Sequence, residues 1–478
     1  MHRAVLKAVH RFQVRLDRYK LVSKPAIRDA LLRDTTVQAA IHDHCNRHGV
    51  NEAETRRLVE QYVDEIVPFF DVLSYYKLGY NIARMLSGLL YQVTSEYQDR
   101  GSLNAIPRGD VVLYLMNHRS NADYVIVAYV LAHGVSISYA VGEWARVWPL
   151  EYVFKSFGAY FVRRGFREPL YHTVLERYVQ LITCNGVTQG IFLEGGLTKN
   201  GVFRSPKLGL LDYVAQTTLD PAFDRDIWLV PVAINYDRVL EDRTLIRELI
   251  DEDDRPGRPR QMLSVIHYLF SNILRLFTGR LKRYGRVAVN FGTPVSLRQW
   301  SSENPGTLLL PKQERLSRLH GLADEVMNRI AAIMPVTPVP LVSAALLSFG
   351  ETMVKRSDLL DRIDEYRDHL IATDAKLVRE ERGADDILDR AWRMFRMRRL
   401  VVKEADRFVV LPKQRPLLEY YANSIVHLLP EPPTGRSMHP AHETDRDLPG
   451  LRRQERQGDQ SDRPDDSLSP LPPLHPNP

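Results

Sequence analysis

The sequence predicts an α/β fold: a mixed, largely parallel sheet flanked by helices, with helical N-terminal and C-terminal regions and a disordered tail. Three observations predict it. Short apolar runs at 111–116 (VVLYLM), 136–141 (SISYAV), 159–162 (AYFV), 190–194 (GIFLE), 228–236 (WLVPVAINY) and 287–291 (VAVNF) read as buried strands. Helical stretches such as 171–183 and 209–217 separate them, and strands alternating with helices indicate a parallel layer. Beyond Pro430 the composition shifts to Pro, Arg, Asp, Gln and Ser, which offer little apolar surface to bury. Four regions follow: helical 1–100, the α/β domain at 101–300, mainly helical 301–430, and the Pro-rich tail 431–478.

In chain order, Val5, Val9, Phe12, Leu16 and Tyr19 recur at alternating gaps of four and three, the spacing of one helix face. Arg11, Arg15 and Arg18 lie on another face, which fits either a solvated surface or a helix resting on anionic lipid. Pro25 opens a second helix at IRDALL, because proline is tolerated in a first helical turn. A further helix is expected from about Val72 to Tyr97, with Leu86, Leu89, Leu90 and Val93 apolar. The six strand candidates come next, interrupted by a charged loop at 252–261. Residues 312–334 are helical again, and 335–349 form a proline-marked turn leading into a short apolar helix. Residues 351–429 are mainly helical, with a candidate hairpin at 401–410.

Of the 478 residues, 44% are hydrophobic and 26% charged. That excludes a chain disordered throughout, a collagen-like fibre and a polytopic membrane bundle. Cys45 and Cys184 cannot build a disulfide framework or ligate a structural zinc by themselves, so a reducing compartment is expected. Lys and Arg number 65 against 59 Asp and Glu, a net +6. This excess suits an anionic partner without choosing among a membrane surface, a phosphorylated metabolite and a nucleic acid. No zinc-finger spacing, RNA-binding aromatic motif or concentrated basic patch is present, so no nucleic-acid partner is expected. The stretch Tyr124–Gly142, which has no Asp, Glu, Lys or Arg, scarcely reaches the ~20 strongly apolar residues of a spanning helix. Neither a transmembrane helix nor a secretory signal is expected.

Four segments carry chemistry. In NHRSNAD (117–123), His118 and Asp123 form H-x-x-x-x-D directly after a strand. Ser120 or Asn121 can cap a helix starting near Ala122, which puts Asp123 in its first turn and leaves His118 at the strand's carboxyl end. Ligand sites of open α/β sheets lie at that edge. A carboxylate on one ring nitrogen fixes the tautomer and leaves the other nitrogen to take a proton. Alone, the pair equally describes a surface histidine near a helix start. In GAYFVRRG (158–165), a strand delivers Arg163 and Arg164, whose planar forks suit a phosphate, although strand ends are often charged simply where they meet water. In FLEGGLTKNGVF (192–203), Glu194 is followed by Gly195, Gly196 and Lys199, with Arg204 and Lys207 further on. Adjacent glycines let a turn expose backbone N–H groups to an anion. LVPVAINYDRV (229–239) reads mostly as core. The chain has no P-loop, G-x-S-x-G elbow or H-E-x-x-H zinc helix.

In this order the four segments resemble the blocks of the glycerolipid acyltransferase superfamily, most closely its glycerol-3-phosphate and dihydroxyacetone-phosphate acyltransferase branch. NHRSNAD resembles the first block and GAYFVRR the second. FLEGGLTKNG with PKLGLL (206–211) resembles the third, and VPVAINYDRV the fourth. Weaker similarity continues through 284–297, 336–347 and 415–429, so the resemblance covers about residues 100–430. The third block departs from the family's usual pattern: Leu197 stands where arginine is usual, and Thr198 and Lys199 stand where Ser and Arg are usual.

The resemblance implies that region 101–300 is an acyltransferase catalytic domain. It would move a fatty acyl group from acyl-CoA or acyl-acyl-carrier protein to the hydroxyl of glycerol 3-phosphate, the first step of phospholipid synthesis. His118 would act as general base and Asp123 would orient it. Arg163, Arg164, Glu194, Gly195, Gly196, Lys199 and Lys207 would serve substrate binding. No bound cofactor or metal is implied, the acyl thioester being a cosubstrate. Alternatives are dihydroxyacetone phosphate or a lysophospholipid as acceptor, and a non-catalytic, membrane-associated lipid-binding relative. An amphiphilic product fits a peripheral enzyme on the cytoplasmic side of the cell membrane. The basic N-terminal helix is the first anchor candidate, with Val72–Tyr97 or Val339–Phe349 next.

Overall fold

The computed structural model describes residues 22–69, 91–131, 137–142, 145–146, 150–156, 158–163, 165–250, 285–350, 353–378 and 382–431. Its main sheet holds β1 (Gln92–Tyr97), β2 (Val111–Met116), β3 (Ser138–Gly142), β4 (Tyr160–Val162), β5 (Gln189–Phe192), β6 (Ile227–Tyr236), β7 (Arg286–Phe291) and β8 (Val295–Ser296). The order is β1-β7-β6-β2-β5-β3-β4, with β8 paired to β6. The β1–β7, β2–β5, β2–β6, β3–β4 and β3–β5 pairs are parallel, whereas β6–β7 and β6–β8 are antiparallel. The sheet is therefore mixed and largely parallel, as the sequence predicts. Every residue of β2 and β7 is buried. Strand β2 is an unbroken apolar run because a strand covered on both faces has no polar side to alternate with, whereas β7 also buries Arg286 and Asn290, the latter donating to the Ile333 carbonyl at 3.0 Å.

One expected element differs. Gln92–Tyr97 is not the end of a helix but the edge strand β1, in register with β7 from Gln92–Arg286 to Tyr97–Phe291. Its sequence, QVTSEY, has no fully buried residue, so it carries no apolar run. The Leu-rich stretch before it invited a continuous helical reading. Residues 70–90 lie outside the described residues, as does the basic amphipathic segment 1–21.

Helices α1 (Lys24–Arg33), α2 (Thr35–His48) and α3 (Glu52–Ile66) precede the sheet. Ser23, Asp34 and Asn51 cap them by accepting N–H groups of their first turns. Pro25 sits in the first turn of α1. Between the strands run α4 (Asp123–Leu131), α5 (Pro169–Cys184), α6 (Gly209–Gln216) and, after β6, α7 (Asp242–Ile250). The first three helices pack on α5, and an Arg177–Asp34 pair at 2.7 Å fastens it to the α1–α2 junction.

After the sheet come α8 (Lys312–Ala332), α9 (Pro338–Leu347), α10 (Arg356–Ala372), α11 (Ala384–Arg398) and α12 (Arg415–Asn423). The expected hairpin is present as β10 (Val401–Glu404) and β11 (Arg407–Val410), and β9 (Val354–Lys355) completes a small antiparallel sheet. Helix α9 is buried at all ten positions, because α10, α11 and α12 all pack on it. That removes Val339–Phe349 from the anchor candidates: its apolar run is core. No helix among the described residues is long and apolar enough to cross a membrane. The tail expected to be disordered, 431–478, lies outside the described residues beyond position 431.

Candidate active site

The carboxyl end of β2 is held open by one amide. Asn117 donates through Nδ2 to the Ile234 carbonyl at 3.0 Å and accepts the Ile234 N–H at 2.8 Å, replacing the backbone ladder between β2 and β6. The chain can then turn away from the sheet with its polar groups satisfied. His118 follows at the strand's tip. Its Nδ1 lies 2.9 Å from Asp123 Oδ2, and both side chains are buried, at 1% and 0% exposure. The same oxygen accepts the N–H groups of Arg119 at 2.8 Å and Ser120 at 3.0 Å, so Asp123 organises the turn that presents the imidazole. Its other oxygen accepts the Tyr236 hydroxyl at 2.5 Å, from the end of β6. Helix α4 begins at Asp123, and Ser120 Oγ accepts the Ala122 N–H at 3.1 Å, close to the expected cap.

The ring of His118 stacks on Phe192 with centroids 4.1 Å apart, and Tyr124 meets it edge-on at 5.5 Å. Glu194 grips the same corner from β5's end. It accepts the His118 N–H at 2.9 Å and the Arg204 N–H at 3.0 Å. Burial pushes its carboxyl up to about 7. A second carboxyl, the half-buried Glu241, accepts the Ser120 hydroxyl at 2.7 Å and the Asn121 N–H at 3.3 Å, and its loss of solvation raises it to about 7 as well. The neighbouring Asp242 is locked by Arg398 of α11 at 2.7 Å and by the Tyr421 hydroxyl of α12.

The glycine-rich loop closes over this corner. Gly195 has φ +63°, and a Cβ there would come within 2.8 Å of Lys207 Cγ, so only glycine lets the lysine stem lie against the turn. The Gly195 N–H is used internally, donating to the Phe192 carbonyl at 3.0 Å, whereas the Gly196 N–H has no carbonyl partner among the described residues. Thr198 donates its N–H to the His118 carbonyl at 3.2 Å, and its hydroxyl bonds Val202 and Gly201. Helix α12 braces the far side. Asn423 donates to the Asn200 carbonyl at 2.9 Å, and Gly201 (φ +84°) sits so close that a Cβ would fall 1.9 Å from the Tyr420 carbonyl. The fully buried Arg119 donates to the Gly201 carbonyl at 2.5 Å. The His427 ring lies 5.3 Å from Phe203, and burial holds its imidazole down at about 4.

His118, Asp123, Glu194, Gly195, Gly196 and Lys207 thus come together. Of the other expected binding residues, Arg163 and Lys199 carry ion pairs to carboxylates of α3 and α7. Arg163 makes a bidentate pair with Glu65 of α3, at 2.7 and 2.5 Å, and lies over the rings of Phe166, Tyr171 and Tyr62. Lys199 is exposed and pairs with Glu248 at 3.4 Å. Arg164 lies outside the described residues. Leu197 packs half-buried against the core, and its carbonyl accepts from Arg204 Nη1 at 3.3 Å.

Several site residues escape the sequence reading. Tyr236 ends an apolar strand and looks like core, and its hydroxyl's target lies 113 positions away. Arg119 stands inside a segment singled out for other residues, and Ser120, expected as a cap, also donates its hydroxyl to Glu241 at 2.7 Å. Glu241 carries no local signal at all.

Residues 100–235 match the family model described as acyltransferase, and residues 270–433 match the one described as glycerol-3-phosphate acyltransferase C-terminal region. Proteins named glycerol-3-phosphate acyltransferase are similar over most of the chain. The one from Aeromonas hydrophila is 29% identical over 425 residues, covering 86% of this chain and 51% of its own length. The one from Actinobacillus succinogenes is 28% identical over 432 residues, covering 86% and 50%. The chain spans about half the length of the curated relatives it matches. Among solved structures, the 1-acyl-sn-glycerophosphate acyltransferase of Thermotoga maritima aligns at 18% identity and a TM-score of 0.31, over 52% of this chain and 75% of that one. Both family models are matched in sequence order, so the similarity to the glycerolipid acyltransferase superfamily, and to its glycerol-3-phosphate acyltransferase branch, extends over most of the chain.

Proposed function

We propose that the chain transfers a fatty acyl group from an acyl thioester, acyl-CoA or acyl-acyl-carrier protein, to a hydroxyl of glycerol 3-phosphate. The observation that carries the reading is the buried His118–Asp123 pair at 2.9 Å, with Asp123 held by three further donors. With Nδ1 tied to the carboxylate, Nε2 is the atom that takes the acceptor's proton. The hydroxyl oxygen attacks the thioester carbonyl, the C–O bond forms, and the tetrahedral intermediate collapses as the C–S bond breaks. The imidazolium then returns the proton to the departing thiolate. Positioned base catalysis of this kind is typically worth about 10²–10⁴ in rate. The Gly196 N–H supports the role of donor to the oxyanion, and the dry surroundings of the ring favour acyl transfer over hydrolysis. No metal or bound cofactor enters these steps.

Lys207 and Arg204, flanking the loop that Glu194 ties to His118, are the cations assigned to the acceptor phosphate. The pair of Arg163 with Glu65 ties the second block to α3. The amphiphilic product fits a peripheral position on the cytoplasmic membrane surface, with the basic segment 1–21 as the anchor.

The test is a donor-by-acceptor matrix with mass detection of products, run on the parent and on His118→Ala. Glycerol 3-phosphate should be acylated in preference to dihydroxyacetone phosphate and lysophospholipids, and His118→Ala should lose at least about 10²-fold in kcat. Parent-level turnover by His118→Ala would end the general-base assignment.

A further inference from the structure

Away from this corner, three side chains with metal-ligand chemistry meet where α2 reaches the start of α5. His44 and His48 stand one helical turn apart on α2, with ring centroids 4.4 Å apart. Glu168, the N-cap of α5, approaches from the other side and places Oε1 3.3 Å from His44 Nδ1. One ligand atom from each of the three lies within 4.8 Å of the other two, and among the described residues this is the set of His, Cys, Asp and Glu side chains that converges so. We propose that His44, His48 and Glu168 bind a single divalent transition-metal ion of the zinc class, which ties α2 to the N-terminus of α5.

The chemistry of the set fits. Zinc takes imidazole nitrogen at about 2.0–2.1 Å and carboxylate oxygen at about 2.0–2.2 Å, in tetrahedral geometry. Two ligand atoms on such a centre stand about 3.3 Å apart, the separation already held by His44 and Glu168. Histidines at i and i+4 put both imidazoles on one helix face, the spacing helical zinc sites use. A simple ion pair would need only His44. The second imidazole adds nothing to that pair but supplies the third ligand, and water takes the fourth position. Entry is open: the His44 and Glu168 side chains are 13% and 25% exposed, and His48 lies at the surface.

The location gives the ion a structural consequence. Glu168 lies five residues beyond Arg163, and the segment between them is packed at both ends. Arg163 lies 4.7 Å from the Phe166 ring, and His172 Nε2 lies 2.6 Å from the Phe166 carbonyl oxygen. An ion on Glu168 would fasten that segment, and with it the start of α5, to a helix more than a hundred residues earlier in the chain.

The experiment uses the untagged full-length protein, stripped with a chelator and titrated with zinc chloride by calorimetry, alongside His48→Ala and Glu168→Gln. Both substitutions are near the surface, and circular dichroism checks that each variant is folded. The parent should show one saturable site and a raised thermal midpoint with zinc. Each variant should bind at least about 10–100-fold more weakly, a loss that even outer-shell changes can cause. Cobalt(II) should give the intense visible bands of a tetrahedral site in the parent and not in His48→Ala. Equal zinc affinity in parent and variants, or no saturable one-to-one binding by the parent, would overturn the proposal.

Discussion

Tyr236→Phe isolates one hydrogen bond. The ring is fully buried and packs against Tyr91 at 5.4 Å, contacts that phenylalanine keeps. Only the hydroxyl is lost, and with it the donor to Asp123 Oδ1, while Oδ2 retains His118, Arg119 and Ser120. Burial and the adjacent carboxylate hold the phenol well above its ordinary value, so it remains a donor across the working pH range. A hydrogen bond to a charged acceptor is worth about 1.5–3 kcal/mol. Expressed in the transition state, where Asp123 stabilises the imidazolium, that is a fall of about 10- to 150-fold in kcat. KM should move little, because Tyr236 is assigned no substrate contact. Steady-state kinetics with glycerol 3-phosphate and an acyl-CoA, paired with thermal melting, make the measurement. Parent kcat together with a parent melting temperature would refute the reasoning, since the lost bond must appear somewhere.

Two other perturbations follow. Glu194 and Glu241 have carboxyls raised to about 7, so between pH 4.5 and 7 the folded chain holds protons that the unfolded chain has released. Stability contributed by these groups therefore falls as pH rises through that window, by roughly 3 kcal/mol for each. Glu241→Gln should remove its share of the slope in urea unfolding measured from pH 5 to 7, and an unchanged slope would count against its burial as a titrating group. Gly201→Ala drives a Cβ into the Tyr420 carbonyl in a left-handed backbone. A melting temperature lowered by several degrees and reduced turnover are expected, from a cost of about 2 kcal/mol or more. A neutral outcome would show that α12 does not press on the loop.

What the sequence disclosed depended on how far each interaction reaches. Strand β2 and the Val287–Val289 run of β7 were legible because burial on both faces favours an apolar run. Strand β1 was hidden because it is a polar edge whose identity depends on pairing with β7, nearly two hundred residues away. His118 and Asp123 could be read because their contact spans five positions and the intervening turn encodes it. Arg163 was legible as a charged strand end, but its partner, Glu65, lies 98 positions earlier in a helix with no motif. The resemblance named the residue types of the third block, yet nothing local reveals that Gly195 admits the Lys207 stem or that α12 supports Gly201.

That support from α12 has a consequence for synthesis. Asn423 meets Asn200 across 223 positions of chain. A ribosome adding about 5–20 residues per second needs about 10–45 s to cover that interval. For that time a nascent chain carries its imidazole and aspartate without the brace that completes the loop above them. The loop is therefore completed late in translation, and half-made chains hold His118 and Asp123 in an unfinished setting.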